Sequence, residues 1–225
     1  MTLEEYFMDW TSVLDINVLM STVRKVNIVR KKEKITPAYN DIFKAFHLCS
    51  RKDCRIVFLG QDPYPQENIA TGLLFANREE TVNLSPSLEV IKEAAIDYTV
   101  PHGTIVFDIT MESWARQGIL LLNSALTCEI GKPGSHAMLW RPFISDLLQS
   151  LSNKETGLVY VLFGAQAQTF EPYINSSLND IISVKHPAYY ARIKQRMPSD
   201  VFRRIDDIMV SRYGESINWY NESNN

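Results

Sequence analysis

Residues 55–65 read Arg55-Ile56-Val57-Phe58-Leu59-Gly60-Gln61-Asp62-Pro63-Tyr64-Pro65. The run Arg55–Leu59 at the front of this stretch is short, apolar and without polar alternation, the pattern of a strand buried on both faces of a parallel sheet. Glycine and two prolines then break the run, so Asp62 falls in the turn just beyond the strand's carboxyl end. Three later runs have the same character: Gly118–Leu122, Leu158–Phe163 and Asp180–Lys185.

Helix-like segments separate these runs. Ser85-Pro86-Ser87-Leu88-Glu89-Val90-Ile91-Lys92-Glu93 offers a cap-like serine and a first-turn proline before helical spacing sets in. Pro142–Leu151 repeats that character, Gly164–Phe170 starts another helix, and Asp200–Arg212 forms a fourth that Gly214 closes. The alternation predicts an α/β fold: one domain over 1–225 with a central four-stranded, mainly parallel sheet covered by helices on both faces, a three-layer α/β/α arrangement. Ligands of such sheets bind beyond the carboxyl ends of the strands. Directly after the four runs stand Gln61-Asp62-Pro63-Tyr64-Pro65, Asn123-Ser124, Gly164-Ala165-Gln166 and His186-Pro187-Ala188-Tyr189-Tyr190. An acid, an amide, a glycine turn and a histidine therefore converge on one rim, as a catalytic site requires.

Composition sets outer bounds. The 225 residues, 45% of them hydrophobic, suffice for a sizeable core, and no linker-like stretch divides the chain. The segment 1–45, including Thr36–Phe46, is expected to be helical, and the polar tail 221–225 to fray. The acidic start Thr2-Leu3-Glu4-Glu5 lacks the character of a secretory signal, and the longest apolar runs fall far short of the roughly 20 residues that span a bilayer. An intracellular protein with no membrane partner is expected. Cys49, Cys54 and Cys128 form no Cys-x-x-Cys pair, and His47, His102 and His136 show no ligand spacing, so neither a metal nor a disulfide framework is expected. Those three histidines read as surface or ordinarily hydrogen-bonded residues. The net charge is −3, yet Lys185, Arg192, Lys194, Arg196, Arg203 and Arg204 lie close together against Asp200 alone, predicting a basic face on an acidic body. The cluster Arg30-Lys31-Lys32-Glu33-Lys34 reads as a solvated loop.

From Phe43-Lys44-Ala45-Phe46 nearly to the C-terminus the sequence resembles the family 1 uracil-DNA glycosylases. Gly60–Pro65 matches the family's water-activating motif. The resemblance extends through Gly72-Leu73-Leu74-Phe75, Ser85-Pro86-Ser87-Leu88, Glu112–Gly118, Leu120-Leu121-Leu122-Asn123, Ser135-His136 and His186-Pro187. It implies hydrolysis of the bond between uracil and deoxyribose in single- and double-stranded DNA, without a cofactor. Breaking that bond develops positive charge on the sugar and negative charge on the base, so an anion near one and donors near the other lower the barrier. By resemblance Asp62 orients the attacking water and stabilises the sugar cation, and His186 donates to uracil O2. Asn123 offers both a donor and an acceptor, matching O4 and N3–H of uracil and mismatching cytosine. By the same resemblance Phe75 is expected to stack on the base, Tyr64 to fill the space a thymine methyl would need, and Gln61 to contribute mainly through its backbone N–H.

The base must leave the duplex to be reached, which costs a few kcal/mol in stacking and pairing. By resemblance the loops that offset this are Ser85-Pro86-Ser87, Gly164-Ala165 and His186–Ala191, comprising Pro187, Ala188, Tyr189 and Tyr190, with Arg192 close behind. The departures from the family pattern fall in these loops. The proline run before Ser87-Leu88 is shortened to Leu84-Ser85-Pro86, Gly164-Ala165 stands where the family has Gly-Ser, and Tyr190 stands where a leucine wedge enters the duplex. A tyrosine there can stack on bases or simply pack on the surface. Pro65, where many members have histidine, lies within family variation. Two roles emerge: an active, monomeric uracil-excising enzyme open to a protein inhibitor or replication partner, or a glycosylase-like DNA-binding subunit of a replication complex with weak catalysis. Asp62, Asn123, Phe75 and His186 speak for the first, and Tyr64 with Asn123 against excision of some other modified base.

Overall fold

The four apolar runs form four neighbouring parallel strands. In the computed structural model, which describes residues 2–99 and 101–223, these are β1 (Ile56–Gly60), β2 (Ile119–Asn123), β3 (Val159–Phe163) and β4 (Asp180–Val184). They are hydrogen-bonded in the order β2-β1-β3-β4. Every residue of β1, β2 and β3 is buried, which accounts for their uninterrupted apolar sequences. β4 has one neighbour, and of its residues Ile182 alone is fully enclosed.

Helices flank the sheet: α1 (Ile16–Arg30), α2 (Pro86–Asp97), α3 (Ala137–Lys154), α4 (Gly164–Gln168), α5 (Pro187–Ile193) and α6 (Asp200–Tyr213). α1 packs on α3 and α2 on α5, giving the three-layer α/β/α arrangement predicted. Two aromatic clusters fill the layers. Phe7, Trp10, Phe43, Phe46, Trp140 and Phe143 meet mostly edge to face beside α3. Phe58, Trp114, Phe163, Phe202 and Trp219 form the other cluster, seated on β1 and β3. Such pairs add roughly 0.5–1.5 kcal/mol each beyond burial of their area.

Several elements differ from the sequence reading. α3 begins at Ala137, five residues before Pro142, which sits inside it. Proline removes the bond to the carbonyl of Met138; that residue lies on the exposed face of the helix, 78% exposed, and the helix continues past it. The N-terminal segment is helical over Leu3–Phe7 and α1, with 3-10 turns at Met8–Ser12 and Tyr39–Asp41. Within it, however, Ile35–Thr36 pairs antiparallel with Cys128–Glu129, a long-range contact that displaces the helix expected there. Asn221–Ser223, expected to fray, pairs antiparallel with Thr104–Val106, while Asn224 and Asn225 lie outside the described residues. Ser85 precedes α2, but its hydroxyl does not cap it; it accepts from Asn77 Nδ2 at 2.7 Å, and Ser85 N–H donates back to Asn77 Oδ1 at 2.8 Å.

Candidate active site

The strands end at one level, with Gly60 opposite Asn123 and Phe163 opposite Val184. Because β1 has β2 on one side and β3 on the other, the winding of the chain reverses at β1, and such switch points open a crevice at the carboxyl ends. The turns after β1 and β2 are tied together: Ser124 N–H donates to Gly60 O at 3.0 Å, and Ala125 N–H and Ser124 Oγ donate to Gln61 O at 2.9 and 3.0 Å. Gly60 leaves room for this junction, since a Cβ there would stand 2.1 Å from Leu74 Cδ1 and 3.3 Å from Asn123 Oδ1.

A cavity of about 270 Å³ opens at this rim, lined among others by Asp62, Tyr64, Phe75, Ser87, Asn123 and His186. That is near the lower end of the ~300–1,000 Å³ typical of ligand pockets and suits a single small ring. Asp62 Oδ2 accepts from Gln61 Nε2 at 2.8 Å and from the Gly134 backbone N–H at 2.9 Å, while Oδ1 is buried without a protein partner. Burial raises the carboxyl pKa above its ordinary value, against the opposing pull of the Gln61 and Gly134 bonds and of nearby His136. Asn123 is 6% exposed, and its Oδ1 is likewise buried and unpartnered.

His186 stands between β4 and α5. Its Nδ1 accepts the Ala188 backbone N–H at 3.1 Å, and burial lowers its pKa. The ring is therefore neutral near pH 7, with its one proton on Nε2. Gly164, at φ +85, lets β3's turn pass beneath it; a Cβ there would lie 2.8 Å from His186 Cβ.

Phe75 adopts φ +62, a left-handed conformation that costs an L-residue ~1–2 kcal/mol. Strain of this kind persists where neighbours fix it. Here Leu74 N–H donates to Leu121 O at 3.2 Å and Tyr64 OH donates to Phe75 O at 3.0 Å. The Phe75 ring meets Phe163 and His186 edge to face, with centroids 5.1 and 5.6 Å away.

Among the loop residues, Ser87 is buried on the cavity wall and Pro86 is exposed at the start of α2, whereas Ala165 is exposed at the start of α4. Pro187 opens α5, and Ala188 joins the cavity wall. Lys185 Nζ lies 4.3 Å over the Tyr189 ring and Arg192 Cζ 5.9 Å from it, while Tyr190 meets Tyr189 edge to face and is half-buried against the core. Lys185, Arg192 and Lys194 are exposed beside the site, and Lys31, Lys32 and Lys34 are exposed on a separate loop.

Sequence reading missed three contributors from one turn. Pro133 lines the cavity, Gly134 supplies the N–H to Asp62, and His136, read as a surface or ordinarily bonded residue, is 1% exposed beside it. The loop Gly131-Lys132-Pro133-Gly134 is rich in turn-forming residues, but no residue-type rule reveals which carboxylate a backbone N–H will reach. Among the described residues, no group of three or more His, Cys, Asp or Glu could hold a metal ion, and no helix is long and apolar enough to cross a membrane.

Comparison with known proteins bears on the chemistry. Residues 46–208 match the family model of the uracil DNA glycosylase superfamily. A uracil-DNA glycosylase of Campylobacter jejuni is 38% identical over 169 residues, covering 74% of this chain and 71% of the relative. One from Buchnera aphidicola is 35% identical over 203 residues, covering 87% and 91%. The crystal structure of mimivirus uracil-DNA glycosylase superposes with a TM-score of 0.74 over 97% of this chain and 93% of that one, at 22% identity, a likeness of fold.

Proposed function

The chain belongs to the uracil-DNA glycosylase superfamily, and on that premise we propose that it hydrolyses the N-glycosidic bond of deoxyuridine in DNA, releasing uracil and leaving an abasic site. The observation that carries this reading is the pairing, on one cavity wall, of the unpartnered Asn123 Oδ1 with a histidine whose single proton is directed to Nε2. Asn123 Oδ1 accepts uracil N3–H while its Nδ2 donates to O4. Cytosine reverses both atoms and would leave buried groups unpaired. His186 Nε2–H donates to O2, Phe75 lies against the base, and the Tyr64 ring, fixed by its bond to Phe75 O, takes the room beside C5.

As the C1′–N1 bond breaks, its electron pair passes to the base and His186 stabilises the charge growing on O2. Asp62, ionised, faces the sugar cation. It accepts a proton from the water that adds to C1′, completing hydrolysis. Ser87 and the turns at Gly164 and Pro187 grip the backbone of the extruded strand with Lys185 and Arg192, and Tyr190 enters the space the base vacates. The enzyme acts as a monomer on DNA inside the cell. A DNA-binding subunit with vestigial catalysis is disfavoured, because it gains nothing from a desolvated carboxylate or an unpaired buried amide oxygen, each costing about 1–3 kcal/mol or more.

The test uses single- and double-stranded oligonucleotides holding one uracil, followed by alkaline cleavage of abasic sites. Product from both is expected, with Asp62→Asn slower by roughly 100-fold or more. No product from either would refute the reading, and an Asp62→Asn enzyme as fast as wild type would remove Asp62 from the mechanism.

A further inference from the structure

His136 is a buried titratable group that the reaction above does not use. It stands at the head of α3, and its Nδ1 lies 2.8 Å from Thr127 Oγ1. Thr127 is fully buried, and its Oγ1 already accepts from Trp140 Nε1 at 2.7 Å, an indole N–H that can only donate. The threonine hydroxyl proton then has one acceptor within reach among its hydrogen bonds, His136 Nδ1. Nδ1 is therefore unprotonated, and the neutral ring carries its proton on Nε2. That Nε2 is buried without a protein partner, and so is Asp62 Oδ1. The two residues are neighbours: the Gly134 N–H on Asp62 Oδ2 comes from the same turn, two residues before His136. A buried donor and a buried acceptor left open on two residues close enough to act on each other's charge require a joint explanation, since such atoms are rare exceptions.

Building on the role given above to Asp62, we propose that His136 is a positioning residue for the Asp62 carboxylate: Trp140 and Thr127 fix its tautomer so that Nε2–H is turned toward Asp62 and holds the carboxylate ionised through one water. The other titratable groups facing the pair are Glu129, which is paired with Lys132, and Cys128, whose thiol burial and the adjacent Asp62 push up to about 12. Both bear negative charge or become negative on ionisation, so among these groups His136 alone can offer Asp62 a side-chain N–H besides that of Gln61.

The experiment compares His136→Asn, His136→Gln and Thr127→Val with wild type. Glutamine places an amide N–H where Nε2 stands, whereas asparagine reaches only the Nδ1 position. Thr127→Val frees Nδ1 to take the proton. The Asp62 carboxyl is titrated by ¹³C NMR in the unliganded protein, its resonance identified by loss in Asp62→Asn, and the acid limb of uracil excision is recorded in parallel. In His136→Asn and Thr127→Val the Asp62 titration and the acid limb should move up by about one pH unit, a roughly tenfold loss of rate below the limb. His136→Gln should restore both to near wild type. An unmoved Asp62 titration in variants that melt like wild type, or an equal shift in the asparagine and glutamine variants, overturns the proposal. Absence of excision by the wild type would instead refute the function, while the titration still decides the role of His136.

Discussion

Replacing Gly164 by alanine tests whether the turn after β3 sets the position of His186. The added Cβ would lie 2.8 Å from His186 Cβ, whereas carbon atoms rest ~3.5–4.0 Å apart, so the two must separate by roughly 0.7–1.2 Å. Residue 164 also holds φ +85, which costs an L-residue ~1–2 kcal/mol and lowers Tm by roughly 2–8 °C in a chain of this size. Displacing a reacting group by about 1 Å can cost ~10²-fold, so excision should fall roughly 10- to 100-fold. Gly214→Ala is the matched control, because Gly214 has φ +73 but nothing within 4 Å of where a methyl group would stand. It should lose similar stability and no activity. Tm by calorimetry and single-turnover excision of a single-uracil oligonucleotide read the two effects separately. If Gly164→Ala excises as fast as Gly214→Ala, the close approach of the two turns does not position His186.

Tyr190→Ala should slow excision from duplex DNA about 5- to 150-fold more than from single strands, the range set by ~1–3 kcal/mol of stacking on a base; equal losses on both substrates would refute a wedge. Tyr64→Ala should gain slow release of thymine from a thymine-containing oligonucleotide, and release of uracil alone would show that another group excludes the methyl. Burial lowers the pKa of His136 and His186 below 6.5, so the unfolded chain binds these protons more readily. Their contribution to stability is complete above about pH 6.5 and is lost as pH falls through the lowered folded values. Asp62 and Asp206, raised by burial, act in the opposite sense at lower pH, contributing stability that is lost as pH rises through their folded values. The fall in Tm on acidification from pH 7 to 5 should therefore be shallower in a His136→Gln, His186→Gln double variant, and an unchanged slope would contradict the neutral, buried assignment.

The parallel core was legible because each strand is a short apolar run whose burial on both faces leaves no polar position to confuse the period. The meeting of Asp62, Asn123 and His186 at one cavity was legible for a related reason: all three stand at or just beyond the end of a run, where such a sheet opens its crevice. Ile35–Thr36 pairing with Cys128–Glu129 left no local trace, since its partner lies far along the chain. The start of α3 was hidden by Pro142, which reads as a first-turn residue and is instead an interior one. Gly134 escaped because its part is played by a main-chain N–H, and the enclosure of His136 went unread, since residue identity encodes neither property.

The bond from Ala188 N–H to His186 Nδ1 has a consequence for which bases can be removed at all. With that lone pair engaged and the remaining proton bound to a neutral imidazole, the side chain can polarise an oxygen but is too weak an acid to hand a proton over. In the proposed reaction the departing ring must carry away the electron pair unaided, so a site working this way selects for leaving-group acidity as well as for shape. Uracil, whose N1 anion is spread over two carbonyl oxygens, meets that condition. Adenine and cytosine, which leave readily only after being protonated, fail it even where they could be made to fit.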